Sequence, residues 1–353
     1  MPRKPKPDQA PERPHVTLRQ VAEAAGVHFT TVSLALRNSP KLLPETRKRL
    51  QDLAREMGYR PDPMLAALNA YRISRAPLHF QATIAWINNW PKRDGLLLNR
   101  EFREYYNGAR ARADELGYSL EEFWMHEPGM NRARLRRILK ARGIQALLLP
   151  PQERPNTAPD IDFEEYSAVA FGFSMRPSVL HLVTNHHLHS MNLVLRKLYA
   201  HGYRRVGFHS GKGWNAKVDG AWLAAILTVR HEHPDLQVFS PILESSEALP
   251  PMEKWIPEHR LDAVVSYTEI IREVREAGFR VPEDIGFASV GLHSDEHTVT
   301  GVYQNDLLVG RKAVDLLVGM LHRNERGLPE VPVCTFVEGE WREGTTLLDR
   351  NSP

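Results

Sequence analysis

Hydrophobic positions in the first sixty residues recur at helical spacing. In residues 16–40, VTLRQVAEAAGVHFTTVSLALRNSP, the side chains of Leu18, Val21, Ala22 and Ala25 fall on one face, and Val32, Ala35 and Leu36 on another. Thr17 followed by Gln20 forms a capping box that opens the first helix. Gly26 stands where the chain needs positive φ for a tight turn. A third helix starts near Pro44, carries the stripe Leu50, Leu53, Ala54 and Met57, and ends at Gly58. Pro61 blocks its continuation. Asp62 and Pro63 then cap a short helix reaching about Ala70, only about two turns long, which needs a partner to form.

From about residue 79 the pattern changes. Strand-like apolar runs at 82–87, 146–150, 169–173, 205–210, 262–267 and 285–290 alternate with helical stretches at 101–116, 131–142, 186–201, 215–230 and 306–322. Strands alternating with helices of this length predict parallel sheets covered on both faces. About 270 residues exceed one comfortable core, so two α/β lobes are expected. The fold class is therefore an all-α headpiece followed by a two-lobed α/β body.

Charge sharpens this division. The chain of 353 residues carries a formal net charge of +3, yet residues 1–75 hold 14 Lys and Arg against 7 Asp and Glu, and the remainder is net acidic. A basic end on an acidic body points to a polyanionic partner for that end, or more plainly to a solvated tail. Residues 1–15, rich in proline and charge, read as a disordered basic arm without the apolar stretch of a signal peptide. The lone Cys334 excludes a disulfide within the chain, and no run is long enough to span a membrane. A soluble cytoplasmic protein is expected.

Two short helices hinged on one glycine form a helix-turn-helix, whose second helix enters the DNA major groove. Phe29 and Leu34 suit thymine methyl groups, and Thr30 can bond to either base type. Thr31, Ser33 and Arg37 suit phosphates. The alternative is a plain helical hairpin packed in a bundle.

The stretch VTLRQVAEAAGVHFTTVSLAL and the following PETRKRLQDLAREMGYRPDP resemble the DNA-binding headpiece of the LacI/GalR family of bacterial transcription regulators. Ala25-Gly26-Val27, Thr31-Val32-Ser33, Glu45-Thr46-Arg47 and Gly58 to Pro63 recur in the family's order and spacing. The likeness is close over 16–72 and looser to about 347, through HGYRRVGF, VPEDIGFAS and GRKAVDLLVGML.

The resemblance implies base reading by Phe29, Thr30 and Leu34, with Thr17, Thr31, Ser33 and Arg37 on the DNA backbone. Leu34 stands where arginine is common, so its base is expected to be thymine or another apolar-tolerant pair rather than guanine. Leu43 replaces a capping serine and His28 a small cap, each at a cost on the order of 1 kcal/mol. The segment after Pro63 matches a hinge helix that wedges Leu68 into the minor groove, with Ala66 where arginine is frequent. Replacing Leu68 by alanine should then weaken specific binding more than non-specific binding.

For the body, the resemblance implies a periplasmic-binding-protein-like core closing on a small effector, often a sugar or purine, at the carboxyl ends of its strands. Here the family pattern departs. Lys217 precedes Gly220 where arginine is usual, Gly291 marks the place of a usual aspartate, and Thr184 beside Asn185 marks another. Trp90, Asn185, Trp214, Lys217, His293 and Gln304 are the candidate effector residues, with Asn305 beside them.

HSGKGW (209–214) lacks phosphate-loop and nucleophile-elbow spacing. His186, His187 and His189 do not share one helix face and have no nearby Cys or Glu at metal-site spacing. Basic 132–143 reads as a solvated helix face. Neither a metal, a cofactor nor an enzymatic activity is expected.

The domains expected are a basic arm, 1–15; a helix-turn-helix domain, 16–60; a hinge and linker, 61–78; a body, 79–347; and a tail, 348–353. Within the body, lobe 1 takes 79–182 and 305–333, and lobe 2 takes 183–304 and 334–347. The function expected is transcriptional repression. A homodimer binds a near-palindromic double-stranded operator, and a small-molecule effector, such as a sugar, modulates its affinity. The ending LLDRNSP leaves no room for a tetramerising tail, so a dimer is expected. Two alternatives are a DNA-binding regulator without a sugar effector, and a ligand-binding α/β protein whose N-terminal helices dimerise it.

Overall fold

The computed structural model describes residues 16–36, 42–59, 82–175 and 179–351. The basic arm, Arg37, and the whole hinge segment with Ala66 and Leu68 lie outside them. The described residues form two units, an N-terminal one and a body, each considered by itself.

Three helices make the N-terminal unit: α1 Leu18–Ala25, α2 Phe29–Leu36 and α3 Pro44–Glu56. The capping box at the start of α1 is complete, and Gly26 takes left-handed φ 65° to turn the chain toward α2. Val21, Ala22, Val32, Ala35, Leu50 and Ala54 form the core, each at most 4% exposed. Gln51 of α3 donates from Nε2 to the Ala35 carbonyl at 2.8 Å, satisfying an orphan acceptor at the end of α2. Leu43 gives α3 no side-chain cap, as its identity requires.

The body contains two six-stranded sheets. The first joins β1 Ala82–Asn88, β2 Tyr118–Trp124, β3 Ala146–Leu149, β4 Ser167–Phe171, β5 His181–Asn185 and β11 Cys334–Val337, all parallel, in the order β11-β5-β4-β3-β1-β2. The second joins β6 Arg205–Phe208, β7 Gln237–Phe239, β8 Ala263–Ser266, β9 Gly286–Leu292, β10 Gly301–Tyr303 and β12 Glu340–Arg342, in the order β12-β10-β9-β8-β6-β7. Only its β10–β12 pair is antiparallel.

Period-two alternation explains the burial of both faces. In the first sheet Ile84 and Trp86 join Val169 and Phe171 beneath helices Arg100–Glu115 and Asp306–Arg323, while Ala85 and Ile87 meet Leu135 and Leu139 on the other face. In the second, Val206, Phe208 and Val265 pack on Trp222 and Ile226, and Val264 and Phe287 pack on Trp255 and Val274.

Two expectations need correction. The lobe crossing placed at 182/183 falls inside β5, and Cys334–Val337 is an edge strand of the first sheet because it pairs with β5. The chain therefore enters the second lobe at 186 and again at 338. The single helix expected over 215–230 is two, Lys212–Lys217 and Ala221–Glu232, because Asp219 (φ 57°) and Gly220 (φ 76°) are both left-handed. Strands such as β7, β10 and β12 escape a periodicity reading because three residues show no period. The tail is bound to the second lobe: the Leu348 amide donates to the Tyr203 hydroxyl at 2.9 Å, and Arg350 to the His201 carbonyl at 2.9 Å. Among the described residues no helix is long and apolar enough to cross a membrane.

One helix contact sets up the site. Helices Arg100–Glu115 and Asp306–Arg323 meet through Gly108 and Gly310. A Cβ on Gly108 would lie 2.0 Å from the Leu307 carbonyl oxygen, and one on Gly310 would lie 2.1 Å from that of Tyr105. This approach is open only to glycine, and it brings Tyr105 beside Asp306.

Candidate functional site

Helix α2 has two chemically different sides. Val32 and Ala35 are fully buried, whereas Phe29 is 42% exposed, Thr30 is exposed, and Thr31, Ser33 and Leu34 are half-buried. The Phe29 ring packs against His28, with ring centres 4.4 Å apart, and leaves the rest of its surface to solvent. Arg37 falls outside the described residues. Thr17 is engaged in the α1 cap: its Oγ1 accepts from the Gln20 amide at 3.3 Å and lies 2.9 Å from Gln20 Oε1, to which it donates. Its hydroxyl proton is thus already committed.

His28 does more than the sequence indicated. Its Nδ1 lies 2.8 Å from Thr30 Oγ1 and 3.5 Å from the Thr30 amide, at the open start of α2. The amide is a donor, and the hydroxyl can donate or accept, so the roles at Nδ1 follow the tautomer of the ring. The ring therefore caps the helix, where a capping deficit was expected.

In the body, the candidate residues gather at the carboxyl ends of the strands. Both sheets reverse their strand order at the strand next to one edge, β1 in the first and β6 in the second, and such reversal points are where open α/β sheets bind ligands. A cavity of about 30 Å³ between the lobes is lined by Glu101, Tyr105, Thr184, His187, Trp214 and Lys217, among others. A second cavity, of about 380 Å³, opens beside it, with Glu101, His209, Trp214, Tyr267, Glu269 and His293 in its wall.

Among the described residues, Lys217 is the only cation that lines the smaller cavity. Its Nζ lies 4.4 Å from the Trp214 ring centre, 5.4 Å from Phe102 and 5.9 Å from Trp90, and it donates weakly to the Glu153 carbonyl at 3.4 Å. Burial pulls its pKa down to about 8, against the raising influence of Glu101 and Glu153. Trp90 is fixed by its Nε1 hydrogen bond to the Pro151 carbonyl at 2.8 Å. Trp214 leans on Tyr267, with ring centres 5.6 Å apart.

Beneath Lys217 runs a buried polar chain that no motif announced. The Tyr105 hydroxyl lies 2.7 Å from Glu101 Oε1 and also contacts Asn185 Oδ1. Asn185 Nδ2 donates at 2.8 Å to both the Gln304 carbonyl and Asp306 Oδ1. Tyr105 has one proton, so a complete chain needs Glu101 protonated and donating to Tyr105, which donates to Asn185. Burial raises both carboxyls, Asp306 well above its ordinary range, where any charge on Glu101 raises it further. Asn185 and Gln304 therefore belong to this chain and line neither cavity. His293 lines the larger one, where its Nε2 pairs with Glu269 Oε1 at 2.7 Å and holds that carboxylate below its usual range.

The lobes are also latched directly. Glu104 Oε1 accepts from the Ser294 amide at 3.0 Å and from its hydroxyl at 2.6 Å, and Arg100 pairs with Asp295 at 2.5 Å. Glu101, Glu104 and Tyr105 sit on a helix whose pattern reads as ordinary amphipathy. The Glu101–Tyr105 spacing of four was the one available signal.

Known proteins resemble the chain in both units. The sequence pattern of "Bacterial regulatory proteins, lacI family" matches residues 17–62, and that of a "Periplasmic binding protein-like domain" matches residues 195–340. The HTH-type transcriptional regulator DegA of Bacillus subtilis (strain 168) is 30% identical over 104 residues, 30% of this chain and 27% of DegA. The HTH-type transcriptional regulator AglR of Rhizobium meliloti (strain 1021) is 46% identical over 61 residues, 16% of this chain and 17% of AglR. These matches thus span less than a third of either relative.

Solved structures extend the likeness of fold. The lac repressor dimer bound to operator and the anti-inducer ONPF aligns with a TM-score of 0.54 and 17% identity, over 95% of this chain and 99% of that one. The transcriptional regulator CelR–cellobiose complex aligns with a TM-score of 0.53 and 19% identity, over 94% and 100%.

A helix-turn-helix headpiece joined to a two-lobed α/β body is the architecture of a DNA-binding transcription regulator with a ligand-binding domain. The chain belongs to the lacI family of bacterial regulatory proteins.

Proposed function

We propose that this protein is a sequence-specific repressor that binds a near-palindromic operator as a homodimer in the cytoplasm and is controlled by a small effector held between the lobes of its body. The observation that carries the DNA reading is the division of α2: Val32 and Ala35 anchor it in the core while Phe29 and Thr30 stand in solvent beside Leu34. A helix presented this way fits the major groove. Thr30, whose hydroxyl can donate or accept, suits either base type. Leu34 suits a thymine methyl. Arg37 and Leu68 retain the roles that the family likeness implies for them, on phosphate and in the minor groove.

The effector reading rests on Lys217, Trp214 and Trp90 at the strand ends. Flat apolar rings beside one cation suit a compact ring molecule with acceptor groups, of the sugar or sugar-acid class. A 30 Å³ cavity holds little more than a water, so such a ligand needs the lobes to part or must enter from the larger cavity.

Selection from random duplex DNA tests the first reading. The expected result is two inverted half-sites with thymine opposite Leu34, a steep loss of affinity with salt, and recovery of guanine at that base by L34R. An absence of any enriched sequence, or a strict guanine for the unaltered protein, overturns it. Thermal-shift titration with neutral sugars, sugar acids and purines tests the second. A sugar or sugar acid should raise the melting temperature, and K217M should abolish the rise.

A further inference from the structure

Three histidines near residue 187 gave no metal pattern in the sequence, because the needed carboxylate lies 149 residues beyond the last of them. The fold supplies it. His186 Nδ1 lies 2.7 Å from Glu338 Oε1 and His189 Nδ1 lies 3.4 Å from Glu338 Oε2. The three ligand atoms all fall within 4.8 Å of one another. The two imidazole rings stack with centres 5.7 Å apart. His187 is separate: it is buried, and burial holds it neutral, with its pKa near 3.

The geometry points to a divalent transition-metal site of two imidazoles and one carboxylate, with Zn(II) as the leading candidate. Tetrahedral zinc with ligands at about 2.0–2.2 Å separates its donor atoms by roughly 3.3–3.5 Å. The His189 contact already has that spacing. The His186 contact needs Glu338 to retreat by less than about 1 Å, which costs little because that side chain is 60% exposed. Two neutral imidazoles and a carboxylate favour zinc or its late transition-metal neighbours over magnesium or calcium. A fourth position is left for water.

The location gives the site a use. His186 follows β5 and Glu338 follows β11, neighbouring strands of the first sheet, at the two points where the chain enters the second lobe. The third crossing is tied in as well. Asn305 Nδ2 donates to the Glu338 carbonyl at 2.9 Å, and the His186 amide donates to the Val337 carbonyl at 2.9 Å. A metal bound here clamps two of the three connections between the lobes. It also sits one residue from Asn185, the centre of the buried chain under the cleft.

The test uses the full chain freed of metal with EDTA and titrated with Zn(II) by calorimetry, then with Co(II) to read its ligand-field absorption. One equivalent should bind, raise the melting temperature by a few degrees, and give tetrahedral Co(II) bands. H189A and E338Q lie on separate segments and are exposed, so both should keep the native circular dichroism. Each should weaken binding at least tenfold. Failure of Zn(II) at about 100 μM to bind the unaltered chain overturns the proposal and leaves an ordinary His–carboxylate pair. Unchanged affinity in the two variants also overturns it, assigning the metal to other histidines.

Discussion

Lys217 is the cleft residue whose replacement separates two opposing effects by size. An ammonium held at about 8 instead of the ordinary 10.5 is disfavoured in the folded state by up to about 3 kcal/mol at neutral pH. The three surrounding rings return about 0.5–2 kcal/mol of cation–π attraction. Burial therefore wins, and the lysine is a net cost to the stability of the cleft. K217M keeps an unbranched side chain one atom shorter, removes the charge and places a thioether near the same rings, a favourable contact. The variant should be more stable than the parent by about 1–2 kcal/mol at pH 7. The sign of the pH dependence follows from the depressed value. Between about 8 and 10.5 the unfolded chain holds a proton that the folded one has released, so the parent gains stability as pH rises through that window and K217M does not. Urea denaturation midpoints at pH 7 and pH 9.5 measure both effects. A destabilised variant at pH 7, or an equal gap at the two pH values, refutes this account of the cleft.

Other consequences follow from the same geometry. G108A drives a Cβ against the Leu307 carbonyl and should cost about 3 kcal/mol or more in urea, with G310A similar, because a backbone oxygen cannot step aside. T17A opens the α1 cap and should speed hydrogen exchange at the Gln20 amide about fivefold, the equivalent of about 1 kcal/mol. The carboxyl of Asp306, raised by burial and by Glu101, stabilises the fold below the ordinary carboxylate range. That contribution is lost as pH rises through its folded value. D306N keeps an acceptor for Asn185 and should flatten that decline, seen as urea midpoints less dependent on pH between 5 and 9; an unchanged slope contradicts the buried chain.

What the sequence disclosed depended on the range of the interactions. The headpiece was readable because its signals are local: the Thr17–Gln20 cap, the Gly26 turn and the stripes of α1 to α3 each lie within a few residues. The α/β class was readable for the same reason, since runs such as ALLL at β3 are apolar whatever they touch. The path of the chain between lobes was not, because β11 is defined by pairing with β5 across some 150 residues. The cleft divides along the same line. Trp214 and Lys217 stood out by type, but Glu101 and Tyr105 looked like the polar side of an amphipathic helix. They joined the buried chain only because Gly108 and Gly310 let two helices approach closely near Asn185 and Asp306. His28 shows that even a local departure can mislead when judged by residue type alone. A histidine is a poor cap by propensity, yet its Nδ1 reaches Thr30 and restores the missing acceptor. Because that contact runs between two neighbouring side chains at the start of α2, it is settled by local geometry and not by the propensity of either residue type.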